Sequence, residues 1–292
     1  MRVIVDRNGL QARVHLFDGK RLATFLALLR SIPACEVTFS PEGPLAADTL
    51  AAQDILVITT RKGENAVERT PHTLIDWLRA CRRALRAAKP HNTSERDLYA
   101  HLLDSRPYAA DELVIIADFV YRGGGLWLLS NHGDVPRLSP HNMTQNDAIL
   151  ARQFGIEIEN TFFANPDPKS VSEMSGPDLL ATHPIIQGAA GEAPIHSVVT
   201  NNCCSIVAAN GVPLVHLTHR MVDHRRGWSF QDRCFAIAVE NSLQSGGGRV
   251  VATADSGFIG AEGTTFPGIG LIAHGDNARF VLNVVRWLGR AL

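Results

Sequence analysis

The stretch Gly123-Gly124-Gly125-Leu126-Trp127-Leu128-Leu129-Ser130-Asn131-His132-Gly133-Asp134 decides how the rest of the chain is read. A glycine triplet leads into an unbroken apolar run, and the run stops at small and polar residues. A strand buried on both faces reads as such a run, as parallel strands of α/β proteins do. Ligands of open α/β sheets bind outside the carboxyl ends of the strands. Ser130, Asn131, His132 and Asp134 therefore stand where a site would be built.

The segments before this stretch set its context. Residues 3–6 read as a first strand, followed by a polar loop and an amphipathic helix over about 20–31, with Leu22, Phe25, Leu26 and Leu29 on its apolar face. Residues 35–39 read as a second strand, 45–52 as a short helix and 54–60 as a third, fully apolar strand. This β-α-β-α-β order predicts a doubly wound parallel sheet. Residues 110–122 form a helix that stops at Gly123, a C-terminal breaker.

The segments after it extend the pattern. Residues 145–154 read as a helix ended by Gly155, and 156–158 as a strand. The proline-rich span 164–194 reads as loop. Short strands over 195–199, 205–209, 213–218 and 234–239 have too little helix between them for parallel crossovers, so antiparallel or mixed pairing is expected. Residues 250–255 read as a last buried strand and 276–288 as the closing helix. The expected fold class is α/β: a three-layer, doubly wound, mostly parallel sheet of flavodoxin-like type with added antiparallel strands. One domain over 1–292 is expected, carrying a helical insertion at about 61–108.

Hydrophobic residues make up 45% of the 292, charged residues 20%, and the net charge is −1. That balance leaves no basic footprint for nucleic acid or an anionic membrane. The one basic cluster, Arg79, Arg82, Arg83, Arg86 and Lys89, falls on a helical pattern at 72–89, opposite Leu74, Leu78, Cys81 and Leu85. It reads as a solvated face. No apolar run reaches the roughly 18 residues of a membrane span. The opening residues lack the charged and apolar regions of a secretory leader, so a cytoplasmic location is expected. Five cysteines without a CxxC spacing argue for free thiols rather than a disulfide framework or a zinc knot.

Several pieces in order resemble the class I glutamine amidotransferase-like superfamily. They are Asp54-Ile55-Leu56-Val57-Ile58, Asp111-Glu112 ahead of Phe119-Val120, Gly123-Gly124-Gly125-Leu126, Phe154-Gly155-Ile156, His183-Pro184-Ile185-Ile186-Gln187-Gly188, Gly248-Arg249-Val250-Val251 with Asp255-Ser256, and Asp276-Asn277-Ala278-Arg279-Phe280 with Trp287-Leu288. The branch they resemble is the non-amidotransferase one, with GIFT-domain, ThuA-like and uncharacterised bacterial relatives. The resemblance implies an amidotransferase-like fold whose elbow follows the glycine-led strand. True amidotransferases carry a cysteine there, flanked by glycines. This chain has Leu129-Ser130-Asn131-His132 instead, and lacks the downstream His-x-Glu pair. Glutamine hydrolysis through a cysteine thioester is therefore not expected.

Two function classes follow. The first is a binding module for a small polar ligand, sugar-like by its ThuA-like kinship, or for a protein partner. Ser130, Asn131 and Asp134 would form its lip, with Asp6, Ser256 and His274 as further contacts. The second is a hydrolase on a small polar substrate, with His132 as base, Asp255 orienting it and His183 holding substrate. Each residue also has a structural reading. Asn131, Asp134, Asp255 and Ser256 suit turns, His183 before proline suits a loop anchor, and Asp276 or Asn277 suits a helix N-cap.

His216, His219 and His224 are crowded by Arg220, Arg225 and Arg226, which opposes a cation and favours an exposed hairpin tip. No cofactor is expected. The alternative metal site is zinc on His132, His183, Asp255 and His274. A homo-oligomer would use the basic helix at 74–89 or the histidine-arginine hairpin.

Overall fold

The computed structural model describes residues 1–61, 107–134, 142–167, 170–208, 211–240, 247–261 and 270–292. The helical patterns at 72–89 and 94–104, and the basic face, lie outside the described residues.

The sheet is built on β1 (Arg2–Val5), β2 (Glu36–Phe39), β3 (Ile55–Thr59), β4 (Gly125–Leu129) and β12 (Arg249–Thr253). They run parallel in the spatial order β2-β1-β3-β4-β12. This is the flavodoxin-like 2-1-3-4-5 winding. Beyond β12 the sheet turns antiparallel through β11 (Cys234–Glu240), β8 (Asn202–Ala208), β5 (Ile156–Ala164) and β10 (Val222–Asp223), and β9 (Val212–His216) also pairs with β11. A separate hairpin joins β6 (Ser172–Ser175) to β7 (Ser197–Thr200). The α/β class and the added antiparallel strands are those the pattern indicates.

Every residue of β3 and β4 is buried, which is why both read as unbroken apolar runs. Helices cover both faces. Trp127 packs its ring against Phe25 of α2 (Ala23–Arg30) and against Phe258. On the same face lie α1 (Leu10–Asp18) and the closing helix α7 (Asn277–Leu288), which packs on α2. The other layer holds α4 (Ala110–Tyr121) with α3 (Ala47–Ala51) against it, and α5 (Gln145–Ala151) beside β5. Burying each large side chain of this core contributes about 1.5–3 kcal/mol.

Two expectations need correction. The presumed polar loop after β1 contains α1. Its apolar signal is sparse, but Leu10 and Val14 are buried together with Met143, and Phe17 packs on them. The helix expected over 20–31 is shorter, because residues 20–22 turn back to place Arg21 in the interior. The histidine-arginine segment is the long connection between the antiparallel strands β9 and β11; His219 and His224 are exposed on it, and β10 within it pairs with β5.

Candidate functional site at the strand carboxyl ends

The chain leaves β1 toward β2 and leaves β3 in the opposite direction, so a crevice opens between their carboxyl ends. The turn after β1 is Asp6-Arg7-Asn8-Gly9. Gly9 presses so closely on β3 that a Cβ there would land on the Thr59 hydroxyl. The first amides of α1 are consequently taken by β3: Leu10 N donates to the Thr60 carbonyl at 2.8 Å and Ala12 N to Thr59 Oγ1 at 3.3 Å.

Arg61, just past β3, fills the crevice. Its side chain is 1% exposed, and its guanidinium donates to Asp6 Oδ2 through Nε at 2.9 Å, to Glu112 Oε2 through Nη1 at 2.8 Å and to Glu112 Oε1 through Nη2 at 2.7 Å. Glu112 opens α4 and also accepts from Leu45 N at 2.8 Å. Burial alone would lower the Arg61 pKa, but Asp6 and Glu112 outweigh it and hold the guanidinium charged. The Tyr108 ring lies 4.1 Å from the guanidinium carbon. Burial raises the Tyr108 phenol well above its usual range, and its Oη is enclosed without a hydrogen-bond partner. A cavity of about 290 Å³ sits here, bounded by Asn8, Gly43, Pro44, Arg61, Tyr108 and Glu112.

A second cluster lies on the α4–α5 side. Thr60 has φ 48°, a left-handed conformation that a β-branched residue adopts only under constraint, at a cost of about 1–3 kcal/mol. Its hydroxyl bonds both the Met143 carbonyl, at 2.9 Å, and the Asp147 carboxyl. Asp147 also accepts from Arg61 N at 3.1 Å. One hydroxyl proton cannot serve two acceptors. A protonated Asp147 donating to Thr60 resolves this, and burial pushes the Asp147 pKa up to about 7. Ser130 Oγ lies near Asp147 and the Cys204 thiol, but neither meets it with hydrogen-bond geometry, and the oxygen is left unpartnered.

The third cluster joins β4, β12 and α1. Ser256 Oγ accepts from Asn131 Nδ2 and from Gln11 Nε2, both at 3.1 Å. Gln11 Oε1 in turn accepts from Arg21 Nε at 2.6 Å. Asp255 accepts from Thr200 Oγ1 at 2.8 Å and from Gly257 N at 2.6 Å, and burial pushes its pKa up to about 6.

The structure therefore gathers Asp6, Ser130, Asn131, Asp255 and Ser256 at the carboxyl ends, but not as one open site. His132 lies at the margin: its Nδ1 meets the Gly133 carbonyl at 2.8 Å, its ring packs on Phe162 at 4.8 Å, and burial lowers its pKa. Asp255 spends its oxygens on Thr200 and Gly257 and does not orient that imidazole.

His183 is elsewhere. It caps the short helix α6 (Pro184–Gln187), its Nδ1 accepting from Ile185 N at 3.2 Å, with its ring 5.3 Å from Trp287. Trp287 O binds Arg249, the first residue of β12, so His183 stands at the opposite end of the sheet from Asp255. Asp134, itself buried, is held by Arg225 at 2.8 Å. His274 sits in the turn opening α7, where its carbonyl accepts from Asn277 N. Asp276 occupies the N-cap position, but its carboxylate accepts from His196 N and Ser197 N rather than from the helix. Among the described residues no group of His, Cys, Asp or Glu could hold a metal ion, so the four proposed zinc ligands do not converge.

Arg61, Glu112, Asp147, Thr60 and Tyr108 were not singled out from the sequence. The strand-end rule that selected Ser130 applies equally to Thr60 and Arg61, directly after the third apolar run. Glu112, Asp147 and Tyr108 carry no such signal.

No protein-family model matches this chain, and no curated protein matches it. Solved structures do. The mmIFT52 N-terminal domain superposes with a TM-score of 0.61 at 11% identity, over 99% of this chain and 97% of that one. A cytoplasmic protein from Salmonella typhimurium LT2 gives 0.52 at 16% identity, over 99% of both chains. A ThuA-like protein from Bacteroides uniformis gives 0.50 at 9% identity, over 99% of this chain and 91% of that one. What these structures share with the chain is the α/β fold described above. At these identities the likeness is one of fold alone, and activity has to be argued from the site.

The position following β4 holds Ser130, with no exposure to solvent. Its neighbour Cys204 is equally enclosed, and burial raises that thiol well above its usual range. No helix of the described residues is long and apolar enough to cross a membrane.

Proposed function

We propose that this chain binds a small polar, sugar-like ligand at the carboxyl ends of its parallel strands and does so without a covalent nucleophile. The observation that carries the reading is the cavity at the β1/β3 switch point. It lies where doubly wound folds place their ligands, with Asn8, Arg61 and Tyr108 in its wall. The elbow argues against acyl transfer, because Ser130 and Cys204 are both closed off from solvent. His132, Asp255 and His183 acting together as a hydrolytic unit are not part of the proposal, since His183 stands at the other end of the sheet.

A thermal-shift screen of the purified chain against small polar metabolites tests the reading, with Tyr108→Ala, which removes part of the cavity wall, as the matched variant. A hit whose shift shrinks in the variant is expected. Hits that Tyr108→Ala leaves untouched would place binding elsewhere. Reaction with serine- or cysteine-directed covalent probes at Ser130 or Cys204 in the folded protein would restore an enzyme with a nucleophile.

A further inference from the structure

Thr60 ties three segments together where the chain leaves β3. Its carbonyl accepts from Leu10 N, at the start of α1, at 2.8 Å. Its hydroxyl bonds the Met143 carbonyl, just ahead of α5, at 2.9 Å, and the Asp147 carboxyl within that helix. Leu10 and Val14 of α1 pack with the Met143 side chain. Thr60 makes these contacts at a φ of 48°, a left-handed conformation that a β-branched residue keeps only while it is held there.

A backbone carbonyl can only accept. The single proton of Thr60 Oγ1 therefore goes to Met143, and the bond to Asp147 needs a proton from the acid. The surroundings of Asp147 agree with a neutral carboxyl. The residue is fully buried. Arg61 is the cation beside it, but that guanidinium turns to Asp6 and Glu112, and Asp147 receives only the Arg61 main-chain N–H at 3.1 Å. The other groups around it among the described residues are the Ser130 hydroxyl after β4, the Cys204 thiol of β8 and the Tyr108 phenol ahead of α4. Burial keeps that thiol and that phenol protonated at neutral pH.

An ionised carboxylate accepts a hydroxyl proton more strongly than a neutral carbonyl does. When Asp147 gives its proton to solvent, the Thr60 proton is drawn to the carboxylate, and the Met143 carbonyl loses its donor.

We propose that Thr60, Asp147 and Met143 form a proton-operated latch between the end of β3 and the segment that opens α5. The latch is closed while the acid carries its proton and opens at Met143 when the proton leaves. Its trigger lies near neutrality, because burial pushes the Asp147 pKa up to about 7. It works whether or not the neighbouring cavity holds a ligand.

Nuclear magnetic resonance of the full chain with methyl-labelled methionine tests this. The chain has four methionines, Met1, Met143, Met174 and Met221, and Met143→Leu assigns the signal in question. The Met143 methyl is expected to shift as pH rises through neutrality, with a midpoint near 7, while Met174 and Met221 stay in place. Asp147→Asn keeps a donor for Thr60 and an acceptor for Arg61 N, so its Met143 signal is expected to hold the low-pH position throughout. Thr60→Ala, which has no hydroxyl to pass the change on, is expected to abolish the shift as well. A Met143 signal that ignores pH in the unaltered chain would overturn the latch. So would a shift that persists in either variant.

Discussion

Arg61 and Glu112 face each other as a bidentate pair, Nη1 to Oε2 at 2.8 Å and Nη2 to Oε1 at 2.7 Å, each side chain only 1% exposed. The pair ties the end of β3 to the first turn of α4, and through Leu45 N to the loop before α3. Removing one partner of a buried pair strands the other. Glu112→Ala is expected to cost about 3–5 kcal/mol, read as a lower urea midpoint at an unchanged m-value. A loss below about 1 kcal/mol would mean that the guanidinium reaches water in the folded state.

Asp147 and Asp255 make stability depend on pH in the sense opposite to an ordinary paired carboxylate. Burial raises their pKa values to about 7 and about 6, above the usual aspartate value of about 3.9. Between those limits the folded chain holds more protons than the unfolded one, so stability falls as pH rises. Their contribution is complete below about pH 4 and lost by about pH 7 for Asp147 and about pH 6 for Asp255, with a slope of up to about 1.4 kcal/mol per pH unit for each group. Denaturant midpoints across that window measure it. Asp147→Asn, which mimics the protonated acid, should flatten its share of the slope. A slope unchanged in the variant would remove Asp147 as the source.

Ser130 Oγ is enclosed and has no partner, so its removal leaves nothing unpaired. Ser130→Ala is expected to be neutral or to stabilise by up to about 1 kcal/mol, with ligand binding unaffected. Thermal unfolding with and without ligand checks this. A loss above 2 kcal/mol would reveal a hydrogen bond that Ser130 makes in solution.

The glycines around the opening strand differ in kind. A Cβ on Gly248 would fall on the Val120 and Gly124 carbonyls, which are backbone, whereas one on Gly124 would fall on the Phe119 ring, which can turn aside. Gly248→Ala is therefore expected to cost more than Gly124→Ala, with the latter near the 1–3 kcal/mol typical of overpacking, roughly speaking. Paired denaturation curves settle the order, and equal costs would show that the α4–β12 approach is yielding.

His183 serves structure. His183→Ala removes the cap of α6 and the contact with Trp287, so a loss of about 1 kcal/mol is expected, with ligand affinity unchanged. Weakened binding at full stability would return His183 to the site.

The run from Gly125 to Leu129 and its polar end at Ser130 were legible because a strand buried on both faces must be apolar throughout, and that demand is written in consecutive residues. The same holds for residues 55–58 and 250–252, and so for the α/β class. Helix α1 was not legible, since its buried residues meet Met143 from a distant segment and leave no long local periodicity.

The amino-acid sequence by itself determined the parallel strands of the sheet, where they end, and that no cysteine follows the glycine-led one. Only the tertiary structure decided which side chains meet at those ends. Arg61 and Glu112 are 51 positions apart and Thr60 and Asp147 are 87 apart, and no local pattern records such a meeting. The physical reason is that burial along a strand is a repeated local requirement, whereas a buried charge needs one specific partner, which the winding of the sheet supplies from anywhere in the chain.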